Sequence, residues 1–327
     1  MTRWSLRSCA LSISIAAAML AACGGSQQVS QTPPQAQGDA TSTLLPVGAL
    51  SHGASRQLRR YPKHRHGLLY VAGYNPSAID IFPLTGPNRK QIGSITNGVE
   101  FPKGLSIDAN NSLYVANAYT GNVTVYAYGS TIPSMIYSGM YRSLYALADS
   151  SGHVYVSGQN RHARGHVLEF NADTNRIVAH RRIGSEADGM AFDGKGNLYV
   201  AYRAGGGLKK DSIAEFGPGL THMRLLGMTL QQPQGLLVDN AGNIIVVESH
   251  AQRIDVFPPG IKTPSVTVTI FGTSYLEGLA MQNSETTLWV STWGGYVYSM
   301  PYPLTKSTVP TEYEEIYGPA NGIAVTP

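Results

Sequence analysis

The residues of this chain best suited to chemistry are cationic and aromatic. Two glycine-containing stretches, GQNRHARGH from Gly158 and YRAGGGLKKDS from Tyr202, carry Arg161, His162, Arg164, His166, Arg203, Lys209 and Lys210. Cations on long loops suit an anionic ligand, or are plain solvated charges. Tyr74, Tyr119, Tyr202 and Trp293 each follow a short apolar run. Rings so placed suit a sugar face or a peptide, or pack between neighbouring elements. Signatures of other chemistries are missing: there is no G-x-S-x-G elbow, no H-E-x-x-H pair and no phosphate-binding glycine loop. The two cysteines, Cys9 and Cys23, both precede residue 24, so the remaining chain holds no thiol nucleophile and no disulfide. His153, His180 and His222 stand alone in the sequence, which suits surface packing.

The elements that position these residues repeat. GLSIDANNSLYVAN from Gly104, GMAFDGKGNLYVAY from Gly189 and GLLVDNAGNIIVVE from Gly235 share one pattern, an apolar strand, an Asp-led turn and a second apolar strand. Aligned on that second strand, Tyr70, Tyr114, Tyr155, Tyr199, Ile245 and Trp289 are separated by 44, 41, 44, 46 and 44 residues. A third strand follows in each copy, as in NVTVYAYG from Asn122 and RIDVFPPG from Arg253, and a fourth in segments such as SVTVTIFG from Ser265. Four antiparallel strands at this period are the signature of a propeller blade. The first copy lacks its opening strand while the chain ends in Gly322-Ile323-Ala324-Val325-Thr326, an opening strand with nothing after it. The sequence therefore predicts an all-β, six-bladed β-propeller over residues 61–327, closed by pairing of the C-terminal strand with Leu68 to Ala72, which removes exposed sheet edges. Asp108, Asp149, Asp193 and Asp239 are expected to cap the turns through side-chain to backbone hydrogen bonds. A composition of 43% hydrophobic and 13% charged residues, with 36 Gly and 19 Pro, suits many short strands. The formal net charge of +4 is too small to argue for nucleic acid.

The G-[LM]-x-x-D-x-x-G-N-L-Y-V-A pattern at Gly189 to Ala201 resembles NHL-repeat proteins and the regucalcin/gluconolactonase (SMP-30-like) group of six-bladed propellers. In a meander, the residue before the opening glycine of each blade belongs at the mouth of the central channel, on the face that carries the long loops. These residues are Lys103, Leu144, Asp188, Gln234, Glu277 and Asn321. The resemblance implies that D-G, E-G and N-G positions supply divalent-metal ligands, here Asp188, Glu277 and Asn321, a set suited to a hard cation such as calcium. The departures are that Gln234 lies between the two acids and that Lys103 adds a positive charge. The other reading of this ring is a polar channel mouth in which Lys103 pairs with an acid. No histidine occupies any of the six positions, which disfavours the chemistry of the similar peptidylglycine lyase.

Arg3 and Arg7 precede an apolar run from Leu11 to Ala22, too short to span a bilayer as a helix and suited to the core of a signal peptide covering residues 1–22. Leu20-Ala21-Ala22-Cys23 resembles the lipobox of bacterial lipoproteins, which implies lipidation of Cys23 and a membrane-anchored mature chain. Gly24 after the cysteine, rather than Asp, favours the outer membrane by that resemblance. Residues 23–60 are rich in Ser, Gln, Thr and Pro and read as a disordered tether.

The sequence thus points to a lipid-anchored protein of the cell envelope that binds a glycan, peptide or protein partner through the loop face. Lys103, Gln234, Arg161, Arg164, Arg203 and Trp293 are the candidate binding residues, with no certain cofactor. The contrasting expectation is a divalent-metal-dependent, lactonase-like hydrolase at the channel mouth. A third is a scaffold whose outer strands make the contacts.

Overall fold

The computed structural model describes residues 67–84, 90–315 and 318–326. The expected signal peptide, the expected lipidation site Cys23 and the expected tether lie outside the described residues. Six sheets of four antiparallel strands form the six blades. Blade 1 takes β1 (Leu68–Gly73), β2 (Ala78–Pro83) and β3 (Gly93–Ile95), and blade 2 takes β4 (Pro102–Ile107), β5 (Leu113–Asn117), β6 (Asn122–Tyr126) and β7 (Met135–Ser138). Blade 3 consists of β8 (Arg142–Ala148), β9 (Val154–Gln159), β10 (Gly165–Phe170) and β11 (Ile177–Arg182). Blade 4 consists of β12 (Glu186–Phe192), β13 (Leu198–Arg203), β14 (Ser212–Gly217) and β15 (Thr221–Leu225), with a 3₁₀ turn at Pro218–Leu220. Blade 5 is β16 (Pro233–Val238), β17 (Ile244–Glu248), β18 (Arg253–Phe257) and β19 (Val266–Thr269). Blade 6 is β20 (Leu276–Met281), β21 (Thr287–Thr292), β22 (Tyr296–Pro301) and β23 (Thr311–Glu315). The last strand, β24 (Ala320–Val325), returns to complete blade 1.

That closure agrees with the split first repeat. β24 pairs antiparallel with β1, setting Leu69 opposite Val325, Tyr70 opposite Ala324 and Val71 opposite Ile323. Thr326 locks the seam, its Oγ1 accepting from the Leu68 amide at 2.8 Å. The inner and second strands are buried on both faces between neighbouring blades, which is why they read as continuous apolar runs.

The turns are built as the Asp pattern requires. Asp193 Oδ1 accepts from the amides of Lys195 and Asn197, both at 2.9 Å, and Asp108 and Asp149 each bind the amides two and four residues on. Asp239 accepts from the Asn243 amide at 2.7 Å. These four carboxylates satisfy backbone donors that no strand can reach.

The glycine that opens each blade lets inner strands approach closely. A β-carbon at Gly189 would fall 2.1 Å from the Gln234 carbonyl of the next blade, and one at Gly322 would fall 2.2 Å from the Lys103 carbonyl. Blade 3 departs from this rule, with Tyr145 where the others have glycine.

Candidate functional site

The pairing register breaks in every innermost hairpin at the same place. In blades 2 to 6 the breaks fall between Pro102 and Leu105, Ser143 and Tyr145, Ala187 and Met190, Pro233 and Leu236, and Leu276 and Leu279. In blade 1 the break leaves Asn321 and Gly322 without register partners on β1. Such an irregularity re-aims the side chain it carries. The result is a ring: Lys103, Leu144, Asp188, Gln234, Glu277 and Asn321, the six residues expected at the channel mouth, line one recess of about 10 Å³, room for a single water-sized group. Serines of second strands fix the backbone there. Ser157 donates to the Asp188 carbonyl at 2.5 Å and Ser291 to the Asn321 carbonyl at 2.7 Å.

The ring is electrostatically divided. The Lys103 ammonium donates to Glu277 Oε2 and forms an ion pair with it. Burial works against the charge on Lys103, but the Glu277, Asp188 and Glu186 carboxylates outweigh it and raise its pKa. Asp188 is pushed up to about 7, chiefly by burial, with Glu186 and Glu277 adding to the rise while Lys103 and Arg203 oppose it. Two acceptors remain unmet, Asp188 Oδ2 and Asn321 Oδ1, both buried without a hydrogen-bond partner. Asn321 spends its amide on the Pro102 carbonyl at 2.9 Å.

The expected metal ligands are thus gathered at one mouth, but with a cation of the chain's own already bound to Glu277. Among the described residues no group of three or more His, Cys, Asp or Glu is arranged to hold a metal ion. With Lys103 in this position the donors do not fit a divalent cation: an ammonium and a metal ion would compete for one carboxylate in a recess of single-atom size.

Beside the mouth, and sharing Lys103 and Asn321 with it, opens a cleft of about 430 Å³ lined also by Tyr74, Phe101, Ala118, Tyr119, Arg142 and Trp293. Four rings run along it in sequence. Trp293 and Tyr74 lie 5.2 Å apart between centroids, Tyr74 and Phe101 4.6 Å edge to face, and Phe101 and Tyr119 5.4 Å. Tyr119 is 73% and Trp293 37% exposed. Three of the four aromatic residues expected on the loop face are therefore brought together. Tyr202 is not among them: it is buried in the core between blades 3 and 4, because its strand position faces inward.

The remaining candidates are dispersed. Arg161 and Arg164 are exposed on the β9–β10 loop, and Arg203 pairs with Glu186 at 3.2 Å. His166 and His180, far apart in sequence logic, stack with centroids 4.7 Å apart and 6° between planes. Phe101 and Arg142 escaped sequence reasoning, although both precede an opening glycine position by only a few residues and so belong to blade links on the loop face. Tyr145 was also missed as a channel residue. It lines both the mouth and a second cavity of about 150 Å³ lower in the channel, and so plugs the passage between them.

No family model matches the chain, and no curated protein matches it. Solved structures do. A chain of a nidogen/laminin complex is 16% identical, with a TM-score of 0.61, covering 79% of this chain and 98% of that one. A protein of unknown function from Bacteroides caccae is 12% identical, with a TM-score of 0.59 and the same coverages. The PQQ-bound aldose sugar dehydrogenase of Streptomyces coelicolor is 15% identical, with a TM-score of 0.54, covering 72% of this chain and 88% of that one. At these identities the likeness is one of fold.

Proposed function

We propose that this propeller is a binding module of the bacterial cell envelope, anchored through lipid on Cys23, that holds the sugar rings of a glycan in the aromatic cleft of its loop face. One observation carries the reading: the Trp293, Tyr74, Phe101 and Tyr119 rings line a cleft large enough for a sugar ring or two, with Arg142, Lys103 and Asn321 at its edge. Flat apolar rings take the hydrogen-bearing face of a sugar, and a few convergent polar groups then orient its hydroxyls. The neighbours give the fold two precedents by their names alone, one found in a protein complex and one a sugar dehydrogenase.

The competing reading, a metal-dependent hydrolase at the channel mouth, has the Lys103–Glu277 ion pair against it. Binding of labelled full-length protein to an array of neutral and acidic glycans tests the proposal. A glycan class retained by the wild type and weakened roughly 10-fold or more by Trp293→Ala and by Tyr119→Ala is the expected result, since each exposed ring contributes of the order of 1 kcal/mol or more. Absence of any bound glycan, or indifference to both substitutions, would overturn it.

A further inference from the structure

The outer strands of the six blades are not alike. β3, β7, β19 and β23 contain no Lys, Arg or His. β11, reading IVAHRR, and β15, reading THMRL, hold all the basic residues of the outer strands. Every residue of β15 is exposed, as are five of the six in β11. Apolar side chains are interleaved with the cations: Ile177, Val178, Met223 and Leu225 are between 41% and 56% exposed.

The strip is continuous across three blades. β11 packs against the Pro218–Leu220 turn that leads into β15. Leu225 and Arg224 of β15 share a cavity of about 250 Å³ with Ile261 and Lys262, on the β18–β19 turn of blade 5. Lys262 Nζ lies 3.2 Å from where a β-carbon of Gly227 would sit, so this turn abuts the chain that leaves β15. Arg224 is paired with Glu215, while Arg181, Arg182 and Lys262 have no carboxylate partner among the described residues. On the next blade round the ring, β23 of blade 6 reads TEYEE, so the run of cations ends at the blade 5 turn.

From this pattern we infer that the outer edge of blades 3 and 4, extended by the blade 5 turn, docks on an anionic lipid bilayer. Charges on an exposed strand edge can serve only to block pairing with another chain. That purpose applies equally to all six outer strands, yet two alone have cations, and Met223 or Leu225 works against it. A soluble polyanion would use the cations and leave the apolar side chains in water. A bilayer uses both, taking apolar groups into the headgroup boundary while Arg and Lys meet phosphates.

The test is co-sedimentation of the full chain with vesicles of phosphatidylcholine, with and without phosphatidylglycerol at about one third, at low and high salt. Any contribution of the apolar N-terminal segment is common to all variants and cancels in their ratio. Wild type should bind the anionic vesicles far better than the neutral ones, and lose that preference in high salt. Arg181→Gln/Arg182→Gln should lower partitioning onto anionic vesicles about 30-fold, which corresponds to about 1 kcal/mol for each basic residue near such a surface. Met223→Ser/Leu225→Ser, which keeps every charge, should lower it as well, and Trp293→Ala should leave it unchanged. Equal partitioning of wild type and the double arginine variant overturns the proposal, as does strong binding to a soluble acidic polysaccharide without preference for anionic vesicles. Failure of glycan binding at the aromatic cleft has no bearing on this result, because the two surfaces share no residue.

Discussion

The Lys103 ammonium of blade 2 donates to the Glu277 carboxylate of blade 6 across the blade between them, joining residues 174 apart in sequence at the channel mouth. This contact makes the mouth a self-neutralised site rather than an open acidic one. It also ties the two blades that flank the closing strand, β24.

Replacing one partner of that pair leaves the other charged and buried. Lys103→Met should cost about 3 kcal/mol, and Glu277→Gln alone a comparable amount, whereas the double variant should lose much less than their sum. Urea midpoints over the four proteins of the cycle measure the coupling. Calcium provides a second readout. Wild type should show no calcium-dependent rise in melting temperature, while Lys103→Met, which frees Glu277 beside the unmet oxygens of Asp188 and Asn321, should show one. Calcium stabilisation of the wild type would restore the metal reading of the mouth.

The pH dependence of stability follows from two buried acids. Asp188 is pushed from 3.8 up to about 7 by burial above all. Glu248, in a fully buried cluster with Asp255 and hydrogen-bonded by Arg253 at 2.9 Å, is pushed from 4.5 up to about 7, by burial first and by Asp255 second. Both folded values are raised, so each acid favours the folded state fully below its unfolded value and loses that contribution as pH rises through about 7. Stability should fall between about pH 4 and pH 7 and level off above, each group contributing a slope of up to about 1.4 kcal/mol per pH unit. Asp188→Asn should flatten the slope by its share. A stability that climbs over this window would contradict the assignment.

The architecture was legible because it is written in repeats: an Asp turn, a Tyr- or Ile-centred strand and an opening glycine recur at near-constant spacing, and the orphan strand at Gly322 to Thr326 names its own partner. The ring at the mouth was legible for the same reason, since one repeat position maps to one place on a symmetric frame. Side-chain pairing was not. Whether Lys103 would meet Glu277 or Asp188 depends on reach across the ring, which no spacing encodes. Tyr202 takes the inter-blade packing alternative because alternation along β13 decides its direction, and a residue just past the apolar run looks the same from either face. The strip on β11 and β15 escaped notice because its members, Ile177 to Arg182 and Thr221 to Leu225, belong to the least regular strand of each repeat.

Tyr145 replaces the glycine that every other blade uses, and its ring lies over Gly104, where a β-carbon would fall 2.3 Å from Tyr145 Cδ2. The channel is therefore plugged by one side chain. Tyr145→Ala should join the mouth to the cavity below and cost about 3 kcal/mol, the usual scale for deleting a packed ring. A urea midpoint unchanged from wild type would show that the ring is not packed in the channel.

Closure by β24 makes the whole ring depend on its last residues. Ile323, Ala324 and Val325 are buried, and Val71 and Leu69 of β1 have no other partner on that side. Ile323→Asp places a carboxylate in the apolar core between blades 1 and 6. Deleting residues from Ala320 onward removes the strand and exposes β1 as an open apolar edge, the condition that invites pairing with another chain. The deletion should yield aggregated protein without a cooperative thermal transition, and Ile323→Asp a folded protein destabilised by several kcal/mol. Substituting Thr326 with Val, which removes only the 2.8 Å bond to the Leu68 amide, should cost about 1 kcal/mol. The graded order of these three, seen in thermal melts and size-exclusion profiles, is what a seam closed by a single strand requires; a soluble, cooperatively folding deletion would mean that the ring does not need its seam.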